Sequence, residues 1–227
     1  MRLNIVMLGG PGAGKGTQAE RLAQERGLPK ISTGEILRQG VKDKLPVALL
    51  AKEKTDRGEL VDDDTIVAIV RDRLGRPDTD AGFILDGFPR TVSQARALDA
   101  IVDERGKDPL FIVDIDVPQE ELVRRLSGRR ICSACGTNAE PSDEAEAKCQ
   151  RCGGTLVYRA DDTAAVVRER LRVYAHSTKP LVDYYRERPT FCAVNGTQAP
   201  AQVAQELRAI IDDAADRARP VVEAQGA

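Results

Sequence analysis

Gly9-Gly-Pro-Gly-Ala-Gly-Lys-Gly-Thr17 is the stretch on which the fold turns, with glycines at 9, 10, 12, 14 and 16 around Lys15. An apolar run, Leu3 to Leu8, precedes it, and Thr17-Gln-Ala-Glu-Arg-Leu-Ala-Gln24, of helical composition, follows. The order is strand, glycine loop, helix. Main-chain N–H groups can wrap a phosphate chain only where side chains do not obstruct them. The helix N-terminus adds its positive dipole end, and a lysine at position 15 reaches the β- and γ-phosphates. The alternative is a plain glycine turn. One position departs from the general pattern: Gly16 follows Lys15, and the hydroxyl comes one residue later at Thr17, so the usual Ser/Thr ligand for Mg²⁺ is displaced.

Working outward, short apolar runs recur at Phe83-Ile-Leu85, Leu110-Phe-Ile-Val-Asp-Ile-Asp-Val117 and Phe191-Cys-Ala-Val194, with a weaker one at Leu28 to Ile31. Helical patterns separate them. The alternation predicts an α/β fold with a parallel sheet of about five strands and crossover helices, in three layers. A helix is expected from about Asp62 through Leu74, with Ile66, Ile69 and Val70 at helical spacing and three aspartates at its N-terminus. Asp86 closes the Phe83 run, the strand expected beside the phosphate loop, so its carboxylate emerges near the phosphates and suits a role in orienting Mg²⁺ through water.

Residues 129 to 159 break this rhythm: Cys-x-x-Cys pairs, Gly136, Gly153-Gly154 and a polar stretch from Glu140 to Lys148 replace any apolar period. An inserted mini-domain is expected there. Helical spacing returns from Asp161 to about Arg188, with Pro180 as a kink or break, and Arg219 to Ala227 look like a frayed tail.

Composition narrows the class. Lys and Arg number 34 against 36 Asp and Glu, a net charge of −2, which argues against nucleic-acid binding by bulk charge. Charged residues make up 31%, above the roughly 25% of average globular chains, so a soluble domain with a heavily solvated surface is expected. No apolar run approaches the roughly 18–20 residues that span a bilayer, and Met1 to Gly10 read as a strand rather than a targeting signal. A cytoplasmic location, without membrane or nucleic-acid partners, is the expectation.

Cys132-x2-Cys135 and Cys149-x2-Cys152 are separated by thirteen residues and supply two turns of thiolates with tetrahedral reach. Four thiolates leave no open position, so a structural zinc is expected, with disulfides or vestigial thiols as alternatives. Cys192, inside the last strand, reads as a buried hydrophobe, and the lone histidine, His176, as a surface residue.

Two more segments complete a pattern. Ile31-Ser-Thr-Gly-Glu-Ile-Leu-Arg38 follows the second strand, and Asp86-Gly-Phe-Pro-Arg90 with Thr91 and Gln94 follows the third. Each has a plain reading: Ser32-x-x-Glu35 as a capping box, Arg38 pairing with Glu35, Asp-Gly-Phe-Pro as a turn. Taken with the phosphate loop, its Pro11 and its Gly16, they resemble the adenylate kinases and their nucleoside monophosphate kinase relatives over almost the whole chain.

That resemblance implies a core formed by 1–31, 62–127 and 163–227, a helical nucleoside-monophosphate-binding insertion at 32–61 and a lid at 128–162. The implied reaction is ATP + AMP ⇌ 2 ADP with Mg²⁺, catalysed by a monomer. Donor contacts would come from Gly12, Ala13, Gly14, Lys15, Gly16, Thr17, Arg129 and Gln198, with Arg125 stacked on the base. AMP would be held by Thr33, Arg38, the backbone of Glu59, Leu60 and Val61, the turn Gly87, Phe88, Pro89 and Arg90, and Gln94 on the adenine edge. Lys15, Arg90, Arg129, Arg159 and Arg170 would surround the transferring group, Arg159 and Arg170 also serving the AMP side. For Arg124 and Arg130 a solvated helix face is the preferred reading.

The chain departs from the family in its lid. Gly136 to Lys148 is acidic and free of aromatics, where relatives usually place a tyrosine and a second aromatic. Donor-base discrimination would then depend on backbone contacts near Thr137 to Ala139 and Thr197-Gln198. GTP is expected to replace ATP with modest loss, whereas UMP or CMP should fail to replace AMP. A UMP/CMP kinase, whose acceptor pocket usually reads Ser-Ala-Gly with Asn near position 94, is the nearest enzymatic rival. A zinc-ribbon nucleic-acid-binding ATPase is the rival from another class; four Tyr, four Phe and no Trp speak against base-stacking recognition.

Overall fold

The structure, a computed structural model, describes residues 2–106, 108–139, 148–159 and 162–217. Most of the acidic lid stretch and the expected frayed tail lie outside the described residues. The chain begins β1 (Leu3–Leu8), α1 (Lys15–Arg26), β2 (Lys30–Ser32), α2 (Thr33–Lys42), α3 (Pro46–Asp56), α4 (Asp63–Leu74) and β3 (Gly82–Asp86). It continues through α5 (Val92–Glu104), β4 (Leu110–Asp116), α6 (Gln119–Ser127), β5 (Arg130–Cys132) and β6 (Leu156–Tyr158). The last elements are α7 (Ala164–Val173), α8 (Pro180–Tyr185), β7 (Phe191–Asn195) and α9 (Pro200–Arg217).

Five strands form one parallel sheet in the order β2-β3-β1-β4-β7. Its strands read as continuous apolar runs because both faces are covered. Along β1, Ile5 and Met7 enter one core and Val6 and Leu8 the other. Phe111, Val113 and Ile115 of β4 alternate with Leu110 and Ile112 in the same way. Helices α1, α6, α7 and α9 close the first face; α4, α5 and α8 close the second. The chain leaves central β1 toward β3 and β2 and later crosses to β4. The C-terminal ends of β1, β3 and β4 therefore surround a topological switch point, where α/β sheets bind ligands.

Local sequence accounts for the element ends. Asp62 caps α4, its carboxylate accepting from the Thr65 N–H at 2.9 Å. Pro180 does not kink a continuous helix. A five-residue π segment, Tyr174–Thr178, lies between α7 and Pro180, which begins α8 as its first residue, where a missing N–H is harmless. His176 is exposed in that segment.

Two expectations change. Arg130 does not lie on a helix face: α6 ends at Ser127, and Arg130 opens β5, half-buried on the wall of the site cavity. Cys192 is half-buried rather than buried, because β7 is an edge strand with β4 as its single neighbour.

Candidate active site

At the phosphate loop the glycines meet specific demands. Gly9 has φ +128°, and a Cβ there would stand 2.6 Å from the Ile115 carbonyl of β4. Gly14, with φ +99°, is the left-handed N-cap of α1. Lys15 folds back over this loop, its Nζ donating to the Gly9 and Gly10 carbonyls, both at 2.8 Å. Its pKa is lowered from 10.5 to about 8, first by desolvation and then by repulsion from Arg90, Arg170 and Arg129, with Asp86 acting in the opposite sense. Lys15 faces the cavity and still touches solvent there, so the crowding of like charge around it is a feature of the site. Asp86 ends β3 beside Met7 of β1. Its Oδ2 stands 3.3 Å from where a Cβ on Gly16 would lie, which brings the carboxylate to the region a Ser/Thr hydroxyl at position 16 would enter. A hard oxygen donor at that point fits Mg²⁺.

The arginines are held by partners that the motif reading did not single out. Arg129 grips Asp162 with both Nε (2.6 Å) and Nη2 (2.8 Å), and Arg170 Nη1 donates to the same carboxylate at 2.6 Å. The Asp162 side chain is only 4% exposed, so a single buried anion orders two guanidinium groups. Arg90 donates from Nε to the Gly87 carbonyl at 2.8 Å, and the Thr178 hydroxyl donates to the Arg90 carbonyl at 3.0 Å. Arg125 is fixed between Glu121 (2.7 Å) and the Gly196 carbonyl (2.9 Å), which orients its guanidinium plane. Glu121 and Asp162 each carry a weak sequence signal: four residues before Arg125 on one helix face, and at the end of Arg159-Ala-Asp-Asp162.

A cavity of about 1810 Å³ connects these groups. It exceeds the roughly 300–1,000 Å³ of a single small-molecule site, so it has room for two nucleotides. Every residue named for the donor lines it, as do Asp86, Arg38, Leu60, Gly87, Pro89, Arg90, Arg159 and Arg170. Gln198 lines it too, although its side-chain amide donates to Glu206 at 2.8 Å. Arg124 is exposed and pairs with Glu121, as a solvated helix residue would.

Of the other acceptor residues all but Arg38, which lines the cavity, stand behind the wall or away from it. Thr33, Val61 and Phe88 are buried, the Thr33 hydroxyl donating to the Gly87 carbonyl at 2.9 Å. Glu59 pairs with Arg57. Arg38 lies close over Gly34 rather than against Glu35, whose carboxylate binds Lys30 at 2.8 Å. Gln94 is 2% exposed; its Oε1 accepts from the Arg90 N–H and its Nε2 donates to Asp63, both at 2.7 Å. Thr91 caps α5 by accepting from Gln94 N–H at 3.1 Å, so Gln94 belongs to a variant capping box, a motif legible as Thr91-x-x-Gln94.

Beside β5 and β6, the Sγ atoms of Cys132, Cys135, Cys149 and Cys152 lie within 4.8 Å of one another, with Cys132–Cys152 at 3.4 Å and Cys135–Cys149 at 3.8 Å. A tetrahedron with metal–sulfur bonds of about 2.3 Å sets sulfurs about 3.8 Å apart, so the four thiols could hold a metal ion.

Comparison with known proteins agrees with this geometry. The family model for adenylate kinase matches residues 7–190. The adenylate kinase of Archaeoglobus fulgidus is 45% identical over 215 residues, covering 92% of this chain and 98% of the relative. That of Bacillus subtilis is 46% identical over 199 residues, 86% and 92% of the two chains, and that of Methanosarcina acetivorans is 45% identical over 212 residues, 92% and 98%. A phosphate loop on a parallel sheet, a large cavity lined by arginines, and identities of this size over nearly the full length place the chain in the adenylate kinase family.

Proposed function

We infer that this chain catalyses the reversible, Mg²⁺-dependent transfer of the terminal phosphoryl group of ATP to AMP, giving two ADP. The carrying observation is that Lys15, Arg90, Arg129, Arg159 and Arg170 line one cavity together with the phosphate loop and Asp86, where burial, opposed by Asp86 and reinforced by Arg90, Arg170 and Arg129, lowers the Lys15 pKa to about 8. Such a grouping of cationic side chains along the wall of one large cavity suits a phosphoryl group in flight.

The roles follow from position. Gly12 to Thr17 wrap the donor phosphates, Arg125 stacks on the donor base, and Gln198 meets that base through its backbone. Arg38, Leu60, Gly87, Pro89 and Arg90 face AMP from the insertion side, with Thr33, Val61 and Phe88 supporting that wall. Lys15, Arg90, Arg129, Arg159 and Arg170 neutralise charge on the transferring group. The AMP phosphate has a second pKa near ~6 and is largely dianionic at neutral pH, so no general base is required. Asp86 would hold Mg²⁺ through water, and the ion when bound adds charge neutralisation between the phosphates. The lid excludes water that would divert transfer into hydrolysis. Gln94 Nε2 spends one of its two N–H groups on Asp63, and the second is the donor left for the adenine edge.

Residues 128–162 form the lid, with zinc held by Cys132, Cys135, Cys149 and Cys152 in a closed, structural site; 32–61 form the AMP insertion and the remaining segments the core. The chain acts as a cytoplasmic monomer. Clustered reduced thiols suit a reducing compartment. The exposed Leu45, Val47, Leu49 and Leu50 make a short strip at the start of α3 rather than a helix-long seam. Among the described residues no helix is long and apolar enough to cross a membrane.

A coupled assay offering AMP, UMP, CMP and GMP separately with MgATP tests this reading. AMP alone should support rapid ADP formation; preference for UMP or CMP would reassign the acceptor.

A further inference from the structure

The helix that carries Arg170 does not run straight into α8, because the five residues Tyr174–Thr178 between them form a π turn. Such turns are rare, occur in short stretches and are frequent at functional sites. The effect here is geometric. At about 100° per residue, a regular α-helix would turn Thr178, eight residues after Arg170, about 80° away from it. With the wider turn in between, Arg170, Tyr174 and Thr178 all line the cavity. From there the half-buried Thr178 reaches a residue 88 positions away, its hydroxyl donating to the Arg90 carbonyl at 3.0 Å. Two further bonds hold Arg90: its N–H donates to Gln94 Oε1 at 2.7 Å and its Nε to the Gly87 carbonyl at 2.8 Å. Gly87 and Gln94 flank Arg90 in the same stretch of chain. Of the three partners only Thr178 comes from the helical stretch that bears Arg170.

We propose that Thr178 is a positioning residue for phosphoryl transfer, its hydroxyl fixing the Arg90 backbone so that the Arg90 guanidinium keeps its place beside Arg170 around the moving group. Preorganised charge stabilises a transition state only if its mount does not shift. Holding the N–H and the C=O of Arg90 from two different elements removes that freedom at the root of the side chain. Because Thr178 and Arg170 stand on one helical stretch, the same bond sets the spacing between the two arginines. The role rests on the phosphoryl-transfer reading above and adds a residue to it.

Quenched-flow measurement of ADP formation in a single turnover, with MgATP saturating and enzyme in excess over AMP, isolates the transfer step. Thr178→Val keeps the shape and removes the hydroxyl; Thr178→Ser keeps the hydroxyl. One neutral hydrogen bond is worth roughly 3- to 10-fold, so Thr178→Val should slow transfer by that factor and Thr178→Ser should restore it to within twofold of the parent. Calorimetric affinity for a non-hydrolysable MgATP analogue should stay within twofold in both, since the hydroxyl acts on Arg90 and not on the phosphate loop. In an Arg90→Ala background the hydroxyl and the carbonyl remain but the guanidinium is gone, so Thr178→Val should there cost less than twofold. A parent that forms no ADP from AMP and MgATP would defeat the phosphoryl-transfer reading itself. With an active parent, a loss below threefold in Thr178→Val, an equal loss in Thr178→Ser, or an undiminished loss beside Arg90→Ala would each overturn the role of Thr178 alone. Weakening of the analogue by as much as the rate would also overturn it, since that marks a general structural effect.

Discussion

The core and the lid of this protein are held together by different physics. Among the described residues the sheet buries twenty apolar residues on one face and twenty on the other, whereas the lid's own cluster is Cys132, Cys149 and Leu156 with Ala139 against them. At roughly 25 cal/mol per Å² of apolar surface removed from water, the core is self-sufficient and the lid is not. Two short strands of three residues cannot stand alone either. On the proposed lid reading the contrast suits phosphoryl transfer, because a rigid loop cradles phosphates best and a closing lid works best when it moves as one body. A metal at four cysteines would give a small lid internal rigidity without attaching it to the core.

The strongest way to break that contrast is to deprive the four thiols of the proposed zinc. Structural zinc contributes on the order of 10 kcal/mol of folding energy in small domains, so chelation or Cys149→Ser should open the lid to proteolysis while the sheet keeps its hydrogen-exchange protection. A protease-resistant lid after verified metal loss would refute the division of labour. Next in size, Lys15→Met should lower kcat by about 10²–10³-fold, the scale of losing one preorganised charge donor, with the circular dichroism melting curve almost unmoved. A variant within threefold of the parent rate would remove Lys15 from the chemistry.

Asp162→Asn addresses the seam between the two regions, because Asp162 binds Arg129 and Arg170. Leaving two guanidinium groups without their buried anion costs about 3 kcal/mol, and kcat should fall with stability. Unchanged thermal stability would show that the arginines find other anions.

Smaller still is a pH effect with two opposite signs. The folded pKa of Lys15, about 8, lies below its ordinary 10.5, so the folded state holds fewer protons than the unfolded state between those values. Stability from this group therefore rises as pH increases from about 8 toward 10.5. Affinity for ATP should move the other way, falling about tenfold per pH unit above 8 as the ammonium is lost. Titrations from pH 7 to 9.5 should show this fall in the parent and a flat profile in Lys15→Met. The smallest expected effect is at Arg151, whose Nη1 lies 3.6 Å from Glu20 on α1 with 60% and 35% of the two side chains exposed. Such an exposed pair is worth under about 1 kcal/mol, so Arg151→Ala should change lid-closing kinetics less than about fivefold by stopped-flow fluorescence. A larger change would mean that the lid is latched to the core after all.

Position along the chain was enough to determine a good deal. The glycine loop between a strand and a helix, the alternation of apolar runs with helical patterns, the Asp62 cap and the two Cys-x2-Cys turns are local features. Local chemistry decides them, because a left-handed glycine, a cap or a pair of thiols on one turn needs no distant partner. Gln94 shows where local reading stops. As a residue type it suits an adenine edge, but the fold brings Asp63 from α4 to its Nε2, thirty-one residues away, and the Arg90 N–H to its Oε1. The Arg129–Asp162 pair, thirty-three residues apart, and the bond from Thr178 to Arg90 are of the same kind. What the sequence determined by itself was the order of elements and the chemistry each could carry. Which polar groups are spent on one another and which face the cavity was decided only by tertiary structure, because hydrogen bonds and ion pairs act over a few ångströms and the residues that make them are brought that close only by the packing of the sheet, its helices and the lid.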